Sequence, residues 1–142
     1  MVSIGRLGVA GELPANVVVG KRNAKELREL YARSLFVVVP VQNVEFDAGV
    51  TALTEAMAMG KPVIATRTVG LEGLFEDGEQ GIYVPPGDAR ALRDAMERLL
   101  ERPDEAERMG AAGRRLVERE HRLDDRMRAL ARIVTAGSGR PA

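Results

Sequence analysis

The twenty residues Asp47 to Thr66, DAGVTALTEAMAMGKPVIAT, constrain this chain most, because they join a glycine-opened helix to a short apolar strand across a minimal turn. Val50 to Met59 predicts a helix whose polar side chains are limited to Thr51, Thr54 and Glu55, and whose Ala and Met residues permit close packing on a sheet. Gly60 stops that helix, Lys61 and Pro62 turn the chain, and Val63-Ile64-Ala65 is the run expected of a strand covered on both faces. Such a strand fits a parallel sheet with helices packed on it.

The start of the helix carries the chemistry. Gly49 allows close backbone approach, and the N–H groups of Val50, Thr51 and Ala52 point out of the helix N-terminus, which favours an anion. Glu55 lies one turn further in, within reach of a hydroxyl-bearing group beside a bound phosphate. Asp47 precedes it by eight positions, in the loop. Read from the residues alone, Asp47 is equally a helix cap and Glu55 equally an ordinary helix carboxylate.

Strands and helices alternate along the rest of the chain, implying a mainly parallel sheet of about four strands flanked by helices. Asn16 to Val19 is a first short strand, and Ala24 to Ser34 an amphipathic helix with Leu27, Leu30 and Tyr31 on one side. Leu35 to Val39 is a buried strand ended by Pro40. After Pro62 to Thr66, a short helical turn around Leu71 to Phe75 and a hairpin-like Glu76-Asp77-Gly78 turn precede the strand Ile82 to Val84. Asp88 is placed to N-cap a helix from Ala89 to Glu101, with Leu92, Ala95, Met96, Leu99 and Leu100 at helical spacing. Pro103 opens another helix, Asp104 to Glu118, with Met109, Ala112, Leu116 and Val117 inward. A last helix, Leu123 to Val134, buries Met127, Leu130 and Ile133, and 135–142 is expected to fray.

Composition narrows the classes. Lys plus Arg and Asp plus Glu balance at 21 each, so no global field recruits nucleic acid or anionic membrane. The arginines on the later helices are interspersed with carboxylates, as on a solvated face. Cysteine is absent, which removes disulfides, thiolate catalysis and cysteine metal sites and is compatible with a cytoplasmic chain. No stretch approaches the length of a transmembrane segment. The single histidine, His121, belongs to no metal or triad pattern. No metal and no cofactor are expected.

The Asp47 to Thr66 segment resembles the donor-binding signature of the retaining glycosyltransferases of family four, in which two acidic residues separated by seven others precede A-M-A-x-G-x-P-V-V-A. Downstream, Glu76-Asp77-Gly78, then the run Gly81 to Asp88, then Ala91-Leu92, is similar to that family's E-D-G-x-x-G-x-x-V-P-P-G-D-x-x-A-L. The likeness runs from about Asn16 to Val134. It implies the two-domain GT-B fold, with a nucleotide-diphosphate sugar as donor substrate. An enzyme of that kind is well over twice 142 residues, so residues 1–134 are expected to form an incomplete, C-terminal donor-binding domain without the acceptor domain. No residue is assigned to the arginine and lysine with which the family grips the diphosphate. Gly5-Arg6-Leu7 lies too close to Val17 to be the motif that precedes that grip.

The resemblance casts Glu55 as the acceptor for the ribose hydroxyls and Asp47, where the family usually has glutamate, as the carboxylate beside the reacting sugar. It aims the backbone N–H groups of Gly49, Val50 and Thr51 at the sugar or distal phosphate. The base lies against Gly20-Lys21-Arg22 and the chain near Val39 to Val41. There Lys21 or Arg22 either adds a phosphate or stacking contact or is a surface residue in a turn. The loop Val69 to Glu72 is one residue shorter than the family's V-G-G-x-P-E. Three readings follow: a donor-half segment inactive alone, a subunit of a split enzyme whose partner carries the other half, or a non-catalytic binding or assembly domain. Edge strands left uncovered, with Val17, Val18, Val19 and Leu35 to Val39 as the exposed apolar candidates, predict self-association or a partner chain.

Overall fold

In the computed structural model, which describes residues 2–3, 14–42 and 49–120, every strand pairing among the described residues is parallel. The chain divides into two compact units, Met1–Arg33 and Ser34–Ala142. In the first, β1 (Val2–Ser3) pairs with β2 (Val18–Val19) in the register Val2↔Val18. Helix α1 (Ala24–Arg33) opens with a reciprocal cap. The Asn23 N–H donates to Glu26 Oε2 at 2.9 Å and the Glu26 N–H donates to Asn23 Oδ1 at 3.0 Å, satisfying two end groups at once. Tyr31 is buried on this helix and Leu27 and Leu30 are half-buried, on the side their spacing predicts.

The second unit holds β3 (Val37–Val39), α2 (Val50–Ala58), β4 (Val63–Thr66), β5 (Gly81–Val84), α3 (Ala89–Glu101) and α4 (Pro103–Glu120). The sheet order is β3-β4-β5, with Val37↔Val63 and Val63↔Gly81 in register. Central β4 is buried at all four positions, as its uninterrupted apolar run requires. Ile64, Ile82 and Val84 form one core with Ala95 and Leu99 of α3 and Ala106 and Met109 of α4. Helix α2 buries Leu53, Ala56 and Met57 and packs on β3, β4 and α4. A Cβ on Gly110 of α4 would overlap the Gly60 carbonyl, and one on Gly113 would stand 3.1 Å from Met57 Cγ, so α4 approaches α2 as closely as backbones allow.

The α/β class and parallel sense match the sequence expectation, with differences in detail. The strand anticipated at Asn16 to Val19 is shorter and pairs with β1 in a sheet of its own, leaving three strands in the main sheet among the described residues. Val18 and Val19 are exposed as anticipated, but Val39 is buried and Val37 and Val38 are half-buried, so the uncovered residue beside β3 is Leu35. Asp88 caps α3 as read, accepting from the Ala91 N–H at 2.8 Å, and the helix keeps its predicted bounds. Leu100 is 55% exposed rather than inward, because Ala95 and Leu99 already fill the sheet-facing stripe. The helix expected at 123–134 and the tail 135–142 lie outside the described residues.

Candidate functional site

Three parallel strands bring their carboxyl ends, Val39, Thr66 and Val84, to one edge of the sheet, where the following loops open. In open α/β sheets that edge is where ligands bind. Helix α2 begins there. Gly49 occupies its N-cap with φ 88°, in the left-handed region, and makes no side-chain cap. A Cβ at this position would lie 2.6 Å from Val39 Cγ1 and 3.2 Å from Val41 Cγ1, so both conformation and space require glycine. The first amide bonded within the helix is Leu53, whose N–H donates to the Gly49 carbonyl at 3.0 Å. The amides of Val50, Thr51 and Ala52 therefore have no partner within the helix and present a partial positive charge outward.

Side chains sort themselves on α2. The Thr54 hydroxyl donates back to the Val50 carbonyl at 2.8 Å and is thereby occupied in the helix. Thr51, Glu55 and Ala58 form the exposed row at i, i+4 and i+7. At 1.5 Å per residue, the Glu55 Cα sits about 7.5 Å along the axis from that of Val50, which is within the span of a nucleotide whose phosphates lie on the helix end. Asp47 lies outside the described residues, as does His121. Lys21 is exposed in the first unit, in the stretch after β2, where its carbonyl accepts from Arg22 Nη1 at 3.0 Å.

The connection from β4 to β5 supplies residues that the sequence did not single out. Arg67, immediately after β4, donates to Asp77 Oδ2 at 2.8 Å, approaches Glu72 at 3.4 Å and lies 4.7 Å from the centroid of the Tyr83 ring. Asp77 Oδ1 in turn accepts from the Tyr83 N–H at 2.9 Å, so the E-D-G run pins the start of β5. Tyr83 stacks on Phe75 with centroids 4.0 Å apart and planes 9° from parallel, and its hydroxyl donates to the Leu71 carbonyl. Burial raises the Tyr83 pKa, which keeps the phenol protonated as that donor. Leu71 is fully buried, and its Cδ1 lies 3.8 Å from where a Gly49 Cβ would be. The sequence signal was an aromatic residue with a polar tip inside an otherwise apolar strand, Gly81-Ile82-Tyr83-Val84.

A cavity of about 420 Å³ lies elsewhere. It lies at the amino end of β5, lined by Phe75, Glu76, Glu79, Arg115, Leu116 and Arg119 among others, and includes no residue of α2. The Glu76 carboxyl there titrates above its ordinary value because Glu79 hydrogen-bonds to it and adds a second negative charge. Among the described residues, no three His, Asp or Glu side chains are grouped to hold a metal ion, and no helix is long and apolar enough to cross a membrane.

A parallel sheet with α2 opening at its carboxyl edge defines a Rossmann-like domain of the GT-B kind. Residues 10–116 match the family described as Glycosyl transferases group 1, and the chain belongs to that family. It is similar to phosphatidyl-myo-inositol mannosyltransferase of Mycobacterium leprae (strain TN), with 39% identity over 89 residues, covering 61% of this chain and 24% of that protein. The structure is similar to sucrose-phosphate synthase from Thermosynechococcus elongatus, with TM-score 0.75 and 35% identity, covering 86% of this chain and 31% of that one. The fold is shared with Anabaena HepE in complex with UDP-glucose, at TM-score 0.73 and 19% identity, covering 86% and 33%. The chain thus spans 24% to 33% of the length of these relatives.

Proposed function

We propose that this chain is the donor-binding portion of a retaining glycosyltransferase, holding a nucleotide-diphosphate sugar from which a hexosyl group passes to an acceptor. The observation that carries this reading is the left-handed Gly49 turn, which opens α2 at the carboxyl edge of the sheet within the stretch that matches the family. The amides of Gly49, Val50 and Thr51 meet the distal phosphate or the sugar, and the Gly49 backbone allows the approach. Glu55 accepts from both ribose hydroxyls, and Asp47 stands beside the reacting ring. Lys21 is a candidate phosphate or base contact. Residues 1–134 form this donor-binding portion.

Transfer with retention breaks the bond between the anomeric carbon and the diphosphate. The nucleoside diphosphate leaves with the bonding electron pair while positive charge develops on the sugar. Aligned peptide dipoles at the α2 N-terminus stabilise the leaving charge more than the ground state, which lowers the barrier without a metal. The acceptor side comes from outside this segment. The exposed Val18, Val19 and Leu35 favour a second reading, in which the chain works in the cytoplasm with a partner chain or a second copy supplying what it lacks.

Calorimetric titration of UDP, GDP and ADP, and of their glucose conjugates, into the chain tests the donor reading. Binding of one nucleotide is expected, weakened at least tenfold by Glu55→Ala, because a carboxylate accepting two hydroxyls contributes about 1.5–3 kcal/mol. A folded chain that binds none of them, or a Glu55→Ala variant that binds as tightly, overturns it.

A further inference from the structure

We infer that Tyr83 is a positioning residue for the donor site: its hydroxyl fixes the connection after β4, and through Leu71 that connection braces the Gly49 end of α2. The inference rests on the donor reading above and adds a residue that touches no ligand. Gly49 has no side chain and makes no side-chain cap, so the placement of this helix end depends on what packs against it. The side-chain atoms nearest to where a Cβ would stand belong to Val39, Val41 and Leu71. The first two lie in the strand and loop that lead into the helix. Of these, Leu71 comes from the connection after β4, and it ties α2 to the far side of the sheet edge.

Leu71 is held at each of its polar groups. Its N–H donates to the Thr68 carbonyl at 3.0 Å, and its carbonyl accepts from the Tyr83 hydroxyl. Neither the Phe75 stack nor the fully buried β5 register requires a hydroxyl at position 83, since phenylalanine would satisfy both. What the hydroxyl adds is the link to Leu71. Arg67 over the ring and Asp77 on the Tyr83 amide hold the aromatic side chain where that link forms. The Leu71 carbonyl also accepts from the Leu74 N–H at 3.4 Å, so the Tyr83 hydroxyl is the closer of these two donors and the one that comes from the sheet.

Tyr83→Phe in the full chain separates the two parts of the inference. Without nucleotide, hydrogen exchange at the Leu53 amide, the first bonded within α2, is expected to quicken about fivefold, the scale of one net hydrogen bond. Exchange at the Leu92 amide, bonded to the Asp88 carbonyl at the equivalent place in α3, is expected to stay within about twofold. An unchanged Leu53, or an equal rise at both amides, overturns the brace. With UDP, GDP and ADP, the nucleotide that the wild type binds is expected to bind Tyr83→Phe about fivefold more weakly. Equal affinity overturns the positioning role. A wild type that binds no nucleotide overturns the donor reading and the positioning role with it, while the exchange result still decides the brace.

Discussion

Replacing Gly49 by alanine tests the geometry on which the site depends. Two costs are expected. The left-handed backbone at φ 88° costs about 1–2 kcal/mol for an L residue with a Cβ. The new methyl would also lie 2.6 Å from Val39 Cγ1, an overlap that the buried Val39 relieves only by shifting β3 or α2, at about 1–3 kcal/mol. Together these give about 2–5 kcal/mol, a large part of the 5–15 kcal/mol typical of a domain. Gly73 is the control, since its φ is 82° but a Cβ there meets nothing within 4 Å, so Gly73→Ala carries the backbone term alone. Urea unfolding followed by circular dichroism should place Gly49→Ala about 1–3 kcal/mol below Gly73→Ala at equal slopes. Adding Val39→Ala should recover part of the difference, as a coupling of about 1 kcal/mol between residues in contact. Equal destabilisation of the two glycine variants, or the absence of coupling to Val39, would refute the argument that α2 begins hard against β3.

Two further predictions concern the helices behind the sheet. Asp88→Ala should lower stability by about 1 kcal/mol in urea unfolding by removing the acceptor at 2.8 Å from the Ala91 N–H, and Asp88→Ser should recover most of it. Glu105 gathers Arg98 at 2.5 Å, Arg102 at 3.6 Å and Arg108 at 3.9 Å, and the Arg98 hydrogen bond is the main cause that lowers its carboxyl below the ordinary value of 4.5. A depressed carboxyl stabilises the fold above its unfolded pKa and loses that contribution as pH falls through the folded one. The stability gap between wild type and Glu105→Gln should therefore be full above about pH 5 and close as the pH drops below 4.5. A gap independent of pH would exclude the ionic contribution.

How far the sequence could be read follows from how local each cause is. Helix α3 kept its predicted bounds because Asp88 and the spacing of Ala95 and Leu99 act within a few residues of one another. The glycine-opened helix and the strand after it were legible for the same reason, since Gly49, Gly60 and Pro62 punctuate them directly. The pairing of Val2–Ser3 with Val18–Val19 was not, because two residues carry no period and the partner is distant in sequence. Gly110 and Gly113 read as weak points of a helix, and only the approach of Gly60 and Met57 gives them a reason. Leu71, Arg67 and Tyr83 stayed hidden as a set because their connection exists only once β4 and β5 are side by side. Lys21 is placed by the structure on an exposed stretch of the first unit, which leaves its role to the nucleotide titration.

The glycine contacts on α4 determine which parts of α2 are open to change. Gripped by β3 and β4 on one side and by α4 on another, this helix has no room to slide or to accept larger side chains on its inner faces. The row Thr51, Glu55 and Ala58 is exposed. Divergence in ligand preference can therefore accumulate along that single row, one side chain at a time, while the helix beneath it keeps the same address in the fold.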